Sequence, residues 1–433
     1  MTDPVEHFRA AFRLNLEQQK KQAKELLKAV KASDLAALDR MRAGVPDAAE
    51  KLRHGTLKLA DAQHAIAREL RFANWAGLKA HIESLDDARD AILNKRGAPD
   101  SDIPTLHLRC GCDIQSVLVD GGFNGDFLEV SYPYCHGPIT AGPGHFEREA
   151  RFLVDFAGKN MDVSYEGALA GRHIEEQQLA ASAANHERIV LWMEHDCFDQ
   201  LVLVRSLAHY ASAGAPRVLE LIDIDYFPGR RPDGKPVHFL GIGHLPEEAL
   251  RLLWSRRQPV TRDQLDLAAD VWNALTLDDP RQLVAIMRTG ASALSHLGFA
   301  LRRFVQELPS VKNGLSLTER LILEILSEQS VRLNQLWARM TYHRDPLPFA
   351  TDLMLLGTVE YMETLSEPAL TRTPGDSRWL DTVTLTDAGR AVLRGARDWL
   401  SLQPPPRWVG GILIRPGQRN WRWDEDAQQA LLL

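Results

Sequence analysis

Cysteine is scarce in this chain: four in 433 residues, at Cys110, Cys112, Cys135 and Cys197. No stretch approaches the roughly 18 apolar residues of a membrane span. The N-terminus is charged, with a helical pattern, and lacks the apolar core of a secretory signal. Together these absences predict a cytoplasmic protein with reduced thiols and no membrane partner. Positive charge is not in excess either: 51 Lys and Arg stand against 58 Asp and Glu, a formal net charge of -7. That balance gives no global reason to expect nucleic acid or an anionic membrane as partner. No G-x-G-x-x-G and no Walker A pattern occurs, so a standard dinucleotide or P-loop nucleotide site is not expected.

What is present is ordinary soluble-protein material. Hydrophobic residues make up 45% and charged residues 25%, which fits a globular protein, and the length fits two or three domains. Residues 5–95 read as helices. VEHFRAAFRLNLEQQKKQAKELLKAVKA keeps apolar residues at helical spacing. Ser33-Asp34 offers a cap for DLAALDRMRA, which Gly44 and Pro46 stop. LADAQHAIARELRF and NWAGLKAHIESL form a pair whose Ala62, Ile66, Leu70, Trp75, Leu78 and Ile82 make one apolar seam. KRGAPDSDIP, 95–104, reads as a linker.

After the linker the texture changes. TLHLRC (105–110), FLEVS (127–131), RIVLWM (188–193) and RVLELID (217–223) are short runs rich in Val, Ile and Leu. Helical segments at 145–158, 164–184 and 197–212 lie between them. Strand–helix–strand order implies a parallel sheet with crossover helices. The expectation is an α/β protein: an open parallel Rossmann-like sheet at 105–245, a helical N-terminal module at 1–95 and a helical extension at 246–310. A winged-helix-like domain is expected at 311–400, with a tail at 401–433 packing back onto the body. The winged-helix reading rests on a capping box at Ser316 and Glu319, two further helices, wing strands PALTRT and DTVTLT, and the closing LTDAGRAVLRGARDWL.

In an open α/β sheet, ligands bind beyond the carboxyl ends of the strands. Polar residues cluster at those ends: Gly111, Cys112 and Asp113 after the first strand, His136 after the second, and Glu194, His195 and Asp196 after the third. Asp196 and Asp199 are accounted for by a helix start, as cap and dipole partner. Glu194 and His195 are not needed for a cap, and partial burial there can bring a pKa toward neutrality. Glu194, His195 and Asp196 are therefore the candidate catalytic residues. Gly111, Cys112, Asp113, His136, Arg148, Arg151, Asp199 and Gln200 are the candidate ligand contacts. Arg148 and Arg151, one turn apart in FEREARFL, either supply positive charge for an anion or are solvated helix arginines. Cys110, Cys112, Cys135, His136, His195 and Cys197 are soft donors, but their spacing matches no paired C-x-x-C metal site, so no metal and no cofactor is assigned. A nucleophilic Cys112 or Cys135 beside His136 or His195 is the other chemical reading; small buried cysteines are the plainer one.

Two resemblances follow from these residues. Ala62-Gln63, Ile66 to Glu69, Trp75, Leu78-Lys79 and His81-Ile82 are similar to a helical module found beside ankyrin repeats in bacterial proteins. HLRCGCDI, GFNGDFLEVSYPYCHGP, REARFL, IVLWMEHDCFDQLVLVRSLA, FLGIGHLPEEALRLLWSRRQPVT, ELPSVKNGLSLTERLIL and RWVGGI together resemble DUF1835, a bacterial domain family of unknown function. The likeness spans about 105–425. The family typically has Ser or Thr where this chain has Cys112, which counts against a mechanism needing a hydroxyl there. What the resemblance implies is an α/β domain with helical extensions, and no activity comes with it.

Two functions are expected to compete. One is binding of a small polar molecule at the strand ends, with a hydrolase or transferase using acid/base residues. The other is a non-enzymatic regulator or scaffold whose helical modules recruit a protein partner or self-associate. DNA is disfavoured, because residues 311–400 hold about 10 Lys and Arg against about 12 Asp and Glu.

Overall fold

The computed structural model describes residues 9–157 and 161–433. Residues 5–8 of the expected N-terminal helices and residue 158 of the expected helix 145–158 lie outside them. Among the described residues the helices α1 (Leu16–Lys31), α2 (Leu35–Gly44), α3 (Ala48–Arg53), α4 (Leu59–Glu69) and α5 (Trp75–Leu93) precede the first strand. The helical pattern expected to run unbroken to Ala32 is interrupted before Leu16. Asn15 takes an extended backbone there and its side chain accepts from Gln18 N at 3.0 Å, which starts a new helix. Asp34 does the same for α2, accepting from Ala37 N at 2.8 Å. Such caps satisfy backbone donors that have no partner inside the helix and contribute about 1 kcal/mol each.

Next come β1 (Thr105–Arg109), α6 (Gln115–Asp120), β2 (Asp126–Glu129), α7 (His145–Ala157), α8 (Tyr165–Asn185), β3 (Arg188–Glu194), α9 (Cys197–Ala213) and β4 (Val218–Ile224). Helix α10 (Glu247–Trp254), β5 (Gln258–Pro259) and helices α11 (Arg262–Leu275), α12 (Arg281–Thr289) and α13 (Leu297–Val305) follow. The sheet has five strands in the order β2-β1-β3-β4-β5 and is mostly parallel. The α/β class is as expected. The fifth strand lies in a stretch expected to be helical; it is only two residues long, too short to leave a periodicity. Central β3 is buried along its whole length, as an apolar run inside a parallel sheet must be.

The C-terminal third runs α14 (Leu317–Glu328), β6 (Val331–Arg332), α15 (Leu333–Arg339), α16 (Asp352–Glu363), β7 (Leu370–Thr373), β8 (Thr382–Leu385) and α17 (Asp387–Leu393). Strands β6, β8 and β7 form an antiparallel sheet in that order. Ser316 and Glu319 make the capping box reciprocally, at 2.6 and 3.2 Å. Two hairpins close the chain, β9 (Arg407–Val409) with β10 (Ile412–Ile414) and β11 (Trp421–Asp424) with β12 (Gln429–Leu432). Ile139 N donates to Gly410 O at 3.0 Å, and Trp423 N to Pro309 O at 2.8 Å.

The chain divides into two compact units. The first comprises the residues up to Thr105, Cys112–Asp126 and Ile224–Gln258; the second comprises Leu106–Gly111, Phe127–Asp223 and Pro259–Leu433. The first has its own helical core, in which Ala62, Ile66, Leu70, Leu78 and Ile82 are fully buried and Trp75 packs at the edge. In the second, one continuous core joins the sheet, α9, α11, α13, α14 and α16. Among the described residues no helix is long and apolar enough to cross a membrane.

Candidate functional site

Strands β1 and β3 are neighbours, and the chain leaves them toward opposite edges of the sheet. That is where a ligand enters an open α/β sheet. Here a side chain occupies the place. Arg109, the last residue of β1, is buried and paired with Glu194 and Asp199, while its Nη1 reaches Trp192 O at 3.3 Å. Asp199 also accepts from Glu194 N at 2.9 Å. Gln200 Nε2 donates to Glu194 O at 2.6 Å and to Asp223 Oδ1 at 3.0 Å. Taking one partner out of a buried ion pair is costly, because it strips a buried charge of its partner.

Asp196 caps α9, its Oδ1 accepting from Asp199 N at 3.0 Å. Burial, and then the negative charge of Asp199, push its pKa up to about 7. His195 lies edge-on to His296, with ring centroids 6.2 Å apart. Glu194, Asp196 and Asp199 bring carboxylate oxygens within 4.8 Å of one another. The cation facing two of the three is the guanidinium of Arg109.

Of the residues expected at the first strand's mouth, Gly111 turns the chain with φ +80, while Cys112 and Asp113 belong to the first unit. In that unit Asp113 lies against Gly243, where a Cβ would sit 2.3 Å from its Oδ2. Burial lowers the pKa of neighbouring His244, and the charge of Asp113 opposes it. Sequence reasoning passed over His244; its signal was the glycine pair in FLGIGHL, which lets a backbone come close.

A concavity lies elsewhere in the second unit. It is a cavity of about 810 Å³, within the range of small-molecule sites. One wall is α7, which presents Glu147, Arg148, Arg151, Phe152, Asp155 and Phe156 at helical spacing. Cys135 and His136, from the loop after β2, form its back. Helix α16 contributes Gly357, Thr358, Glu360, Tyr361 and Thr364; Glu307, Ser316, Glu319 and residues 405–408 complete the lining. Gly357 is needed where α16 meets α7: a Cβ there would be 2.7 Å from the Phe156 ring. Three expected ligand contacts, His136, Arg148 and Arg151, thus meet at this cavity. Glu194, His195, Asp196, Asp199 and Gln200 do not line it.

The rings and charges of the cavity are ordered. Phe152 and Phe156 stack at 5.5 Å, 8° apart, and His136 tilts over Phe156 at 4.8 Å. Burial lowers the His136 pKa to about 4, so the imidazole is neutral near pH 7. Burial also pushes the Cys135 thiol well above its ordinary range, the opposite of an activated nucleophile. Most of the acids have partners. Glu307 accepts from Arg303 at 2.6 Å, Glu319 lies 3.4 Å from Arg407 Nε, and Glu360 lies 3.6 Å from Arg372. Burial opposes ionisation of Glu307, but Arg303 and Arg407 outweigh it and its pKa falls; for Glu319 burial wins and the pKa rises. The far walls, α16 and Pro405–Trp408, carry no motif that sequence reading could have joined to α7.

No protein-family model matches the chain, and no curated protein matches it.

Proposed function

We propose that this protein is a small-molecule-binding protein and that its ligand occupies the cavity between α7, the loop after β2, α16 and residues 405–408. The observation that carries the reading is the lining itself: stacked aromatic rings and a neutral His136 beside Arg148 and Arg151. Apolar walls with a few convergent polar groups are what small-molecule sites are made of. The order α14, β6, α15, α16, β7, β8, α17 fits a winged-helix-like unit, with α16 in the place of the helix that reads DNA. That helix, DLMLLGTVEYME, has no Lys or Arg, which favours a role in sensing the ligand or meeting a protein over DNA contact. The likeness to DUF1835 and a Rossmann-like ancestry of the sheet belong to the same proposal and add no activity to it.

The test uses Thr358→Trp, which fills the cavity from α16. In a thermal-shift screen against a metabolite library, at least one compound stabilises the wild type and leaves Thr358→Trp unmoved. Saturation at about 100 times Kd stabilises by about 2.7 kcal/mol, which is easily read. A library that shifts neither protein, or both equally, removes the cavity from consideration.

Catalysis at the end of β3 is the second reading. It is favoured by Asp196, a carboxyl poised near neutral pH; Glu194 and Asp199 are tied to Arg109 and unsuited to proton transfer. Hydrolysis of p-nitrophenyl acetate or p-nitrophenyl phosphate by the wild type, and its loss in Asp196→Asn, would favour a hydrolase. Equal rates in both would end this reading.

A further inference from the structure

We infer that the cavity's ligand is a ring-bearing organic anion, a carboxylate or a phosphate ester, whose charged group is taken by Arg148 and Arg151. The inference rests on the cavity reading above and names the chemistry it selects. Arg148 is half-buried in the cavity wall, and the hydrogen-bond acceptors it reaches are neutral. Its Nε donates to Thr140 Oγ1 at 2.9 Å, and Nη1 and Nη2 lie 3.4 Å from Pro143 O and Ala141 O. The two 3.4 Å contacts are long for hydrogen bonds. The planar guanidinium has five N–H donors, of which these contacts use three, so two can meet a ligand while the Nε bond holds the side chain in place.

Arg151, one turn further along α7, is laid on the Tyr165 ring, its Cζ 4.7 Å from the centroid. Among the described residues neither guanidinium has a carboxylate within ion-pair distance. Every acid deeper in the cavity, by contrast, is matched by Arg303, Arg372 or Arg407. The remaining acids of the α7 face, Glu147 and Asp155, are exposed and screened by water. Arg148 and Arg151 are thus, among the described residues, the cations of this wall with no carboxylate directly paired to them, Arg148 half-buried and Arg151 exposed like the two acids. A guanidinium pair at helical spacing suits the planar, multi-oxygen geometry of a carboxylate or phosphate.

Beside the arginines the wall turns aromatic, through Phe152, Phe156 and the uncharged His136 ring. An apolar ring on the ligand would pack on this stack while its acid group reaches the arginines. His136 is neutral near pH 7 and adds no charge of its own. Size agrees: a cavity of about 810 Å³ has room for a two-ring molecule with an acid group.

Three probes with one ring body separate the possibilities: 1-naphthyl phosphate, 1-naphthoate and uncharged 1-naphthol, titrated by calorimetry into the full chain. At least one anion should bind about tenfold or more tightly than 1-naphthol, and the tighter anion identifies the acid group. The double variant Arg148→Gln/Arg151→Gln, with unchanged circular dichroism, should lose that margin and keep the 1-naphthol affinity. Arg148→Lys/Arg151→Lys should restore part of it. If 1-naphthol binds as tightly as the anions, or the margin survives the double Gln variant, the anion assignment falls while the cavity stands. If Thr358→Trp binds all three like the wild type, the cavity reading falls with it. Absence of binding by all three probes overturns this inference, whatever the metabolite screen returns.

Discussion

At the carboxyl ends of β1 and β3 the Arg109 guanidinium is paired with Glu194, and both side chains are 4% exposed. The pair fills the place where an open α/β sheet would take a ligand, and Asp199 joins it from α9. Removing the arginine takes its positive charge away from two buried carboxylates. Arg109→Ala is expected to cost about 3–5 kcal/mol, read as a lower urea midpoint. A loss below about 1 kcal/mol would mean that the carboxylates take up protons instead. That result would strengthen the catalytic reading of this cluster.

How much of this was legible beforehand follows from the range of each interaction. Strands β1 to β4 were visible because parallel strands buried on both faces need unbroken Val, Ile and Leu runs. The Asp196 cap and the Ser316–Glu319 box were visible because a cap is settled within four residues. Arg109 was not singled out: at the end of TLHLR an arginine reads as strand punctuation, and its partners lie 85 and 90 residues away. The cavity was half legible. His136, Arg148 and Arg151 come from two adjacent segments, but Gly357, Tyr361 and Arg407 reach it from more than 200 residues further on, with no shared pattern.

Asp196 and His136 should bend the stability curve in opposite directions. An unfolded Asp titrates near about 3.9, whereas folded Asp196 is raised to about 7. The folded chain therefore holds this proton more tightly. Its contribution is whole below about pH 4 and shrinks as pH rises to 7, by up to about 1.4 kcal/mol per unit. Asp196→Asn keeps a capping side chain and cannot ionise. Its stability relative to wild type should climb from pH 4 to 7 and then level off. Folded His136 is lowered to about 4 from an unfolded value near about 6.5. Its contribution is whole above about 6.5 and is lost as pH falls toward 4. His136→Gln should gain on wild type in that direction. Melting temperatures from pH 4 to 8 give both difference curves, and a flat curve contradicts the burial of that group.

Gly137 sits where the loop after β2 closes on itself. A Cβ there would lie 2.4 Å from the Tyr132 hydroxyl and 2.8 Å from the Phe152 ring. Tyr132 has little room to yield: it is 2% exposed and its hydroxyl donates to Pro138 O at 3.1 Å. Gly137→Ala is expected to cost about 1–3 kcal/mol by overpacking. Because the displaced Phe152 lines the cavity, naphthyl-probe affinity should fall in the same variant. Unchanged stability together with unchanged probe binding would show that the loop can open freely.

The four thiols should divide by burial and ionisation, and the division bears on whether any cysteine is a nucleophile. Cys112 is exposed and Cys110 partly so, whereas Cys135 and Cys197 are buried, and burial raises both buried thiols well above the ordinary range. Only the thiolate attacks an alkylating reagent. Iodoacetamide at pH 8 should label Cys112 first and Cys110 more slowly. Cys135 and Cys197 should stay unlabelled until the chain is unfolded in guanidinium. Cys135 is the informative position, because it lines the cavity. Slow labelling there is what its burial and its raised pKa together predict. Fast labelling of Cys135 that follows a single low pKa would mean that something in the cavity stabilises its thiolate, and would reopen the Cys135–His136 nucleophile reading against the binding function proposed above.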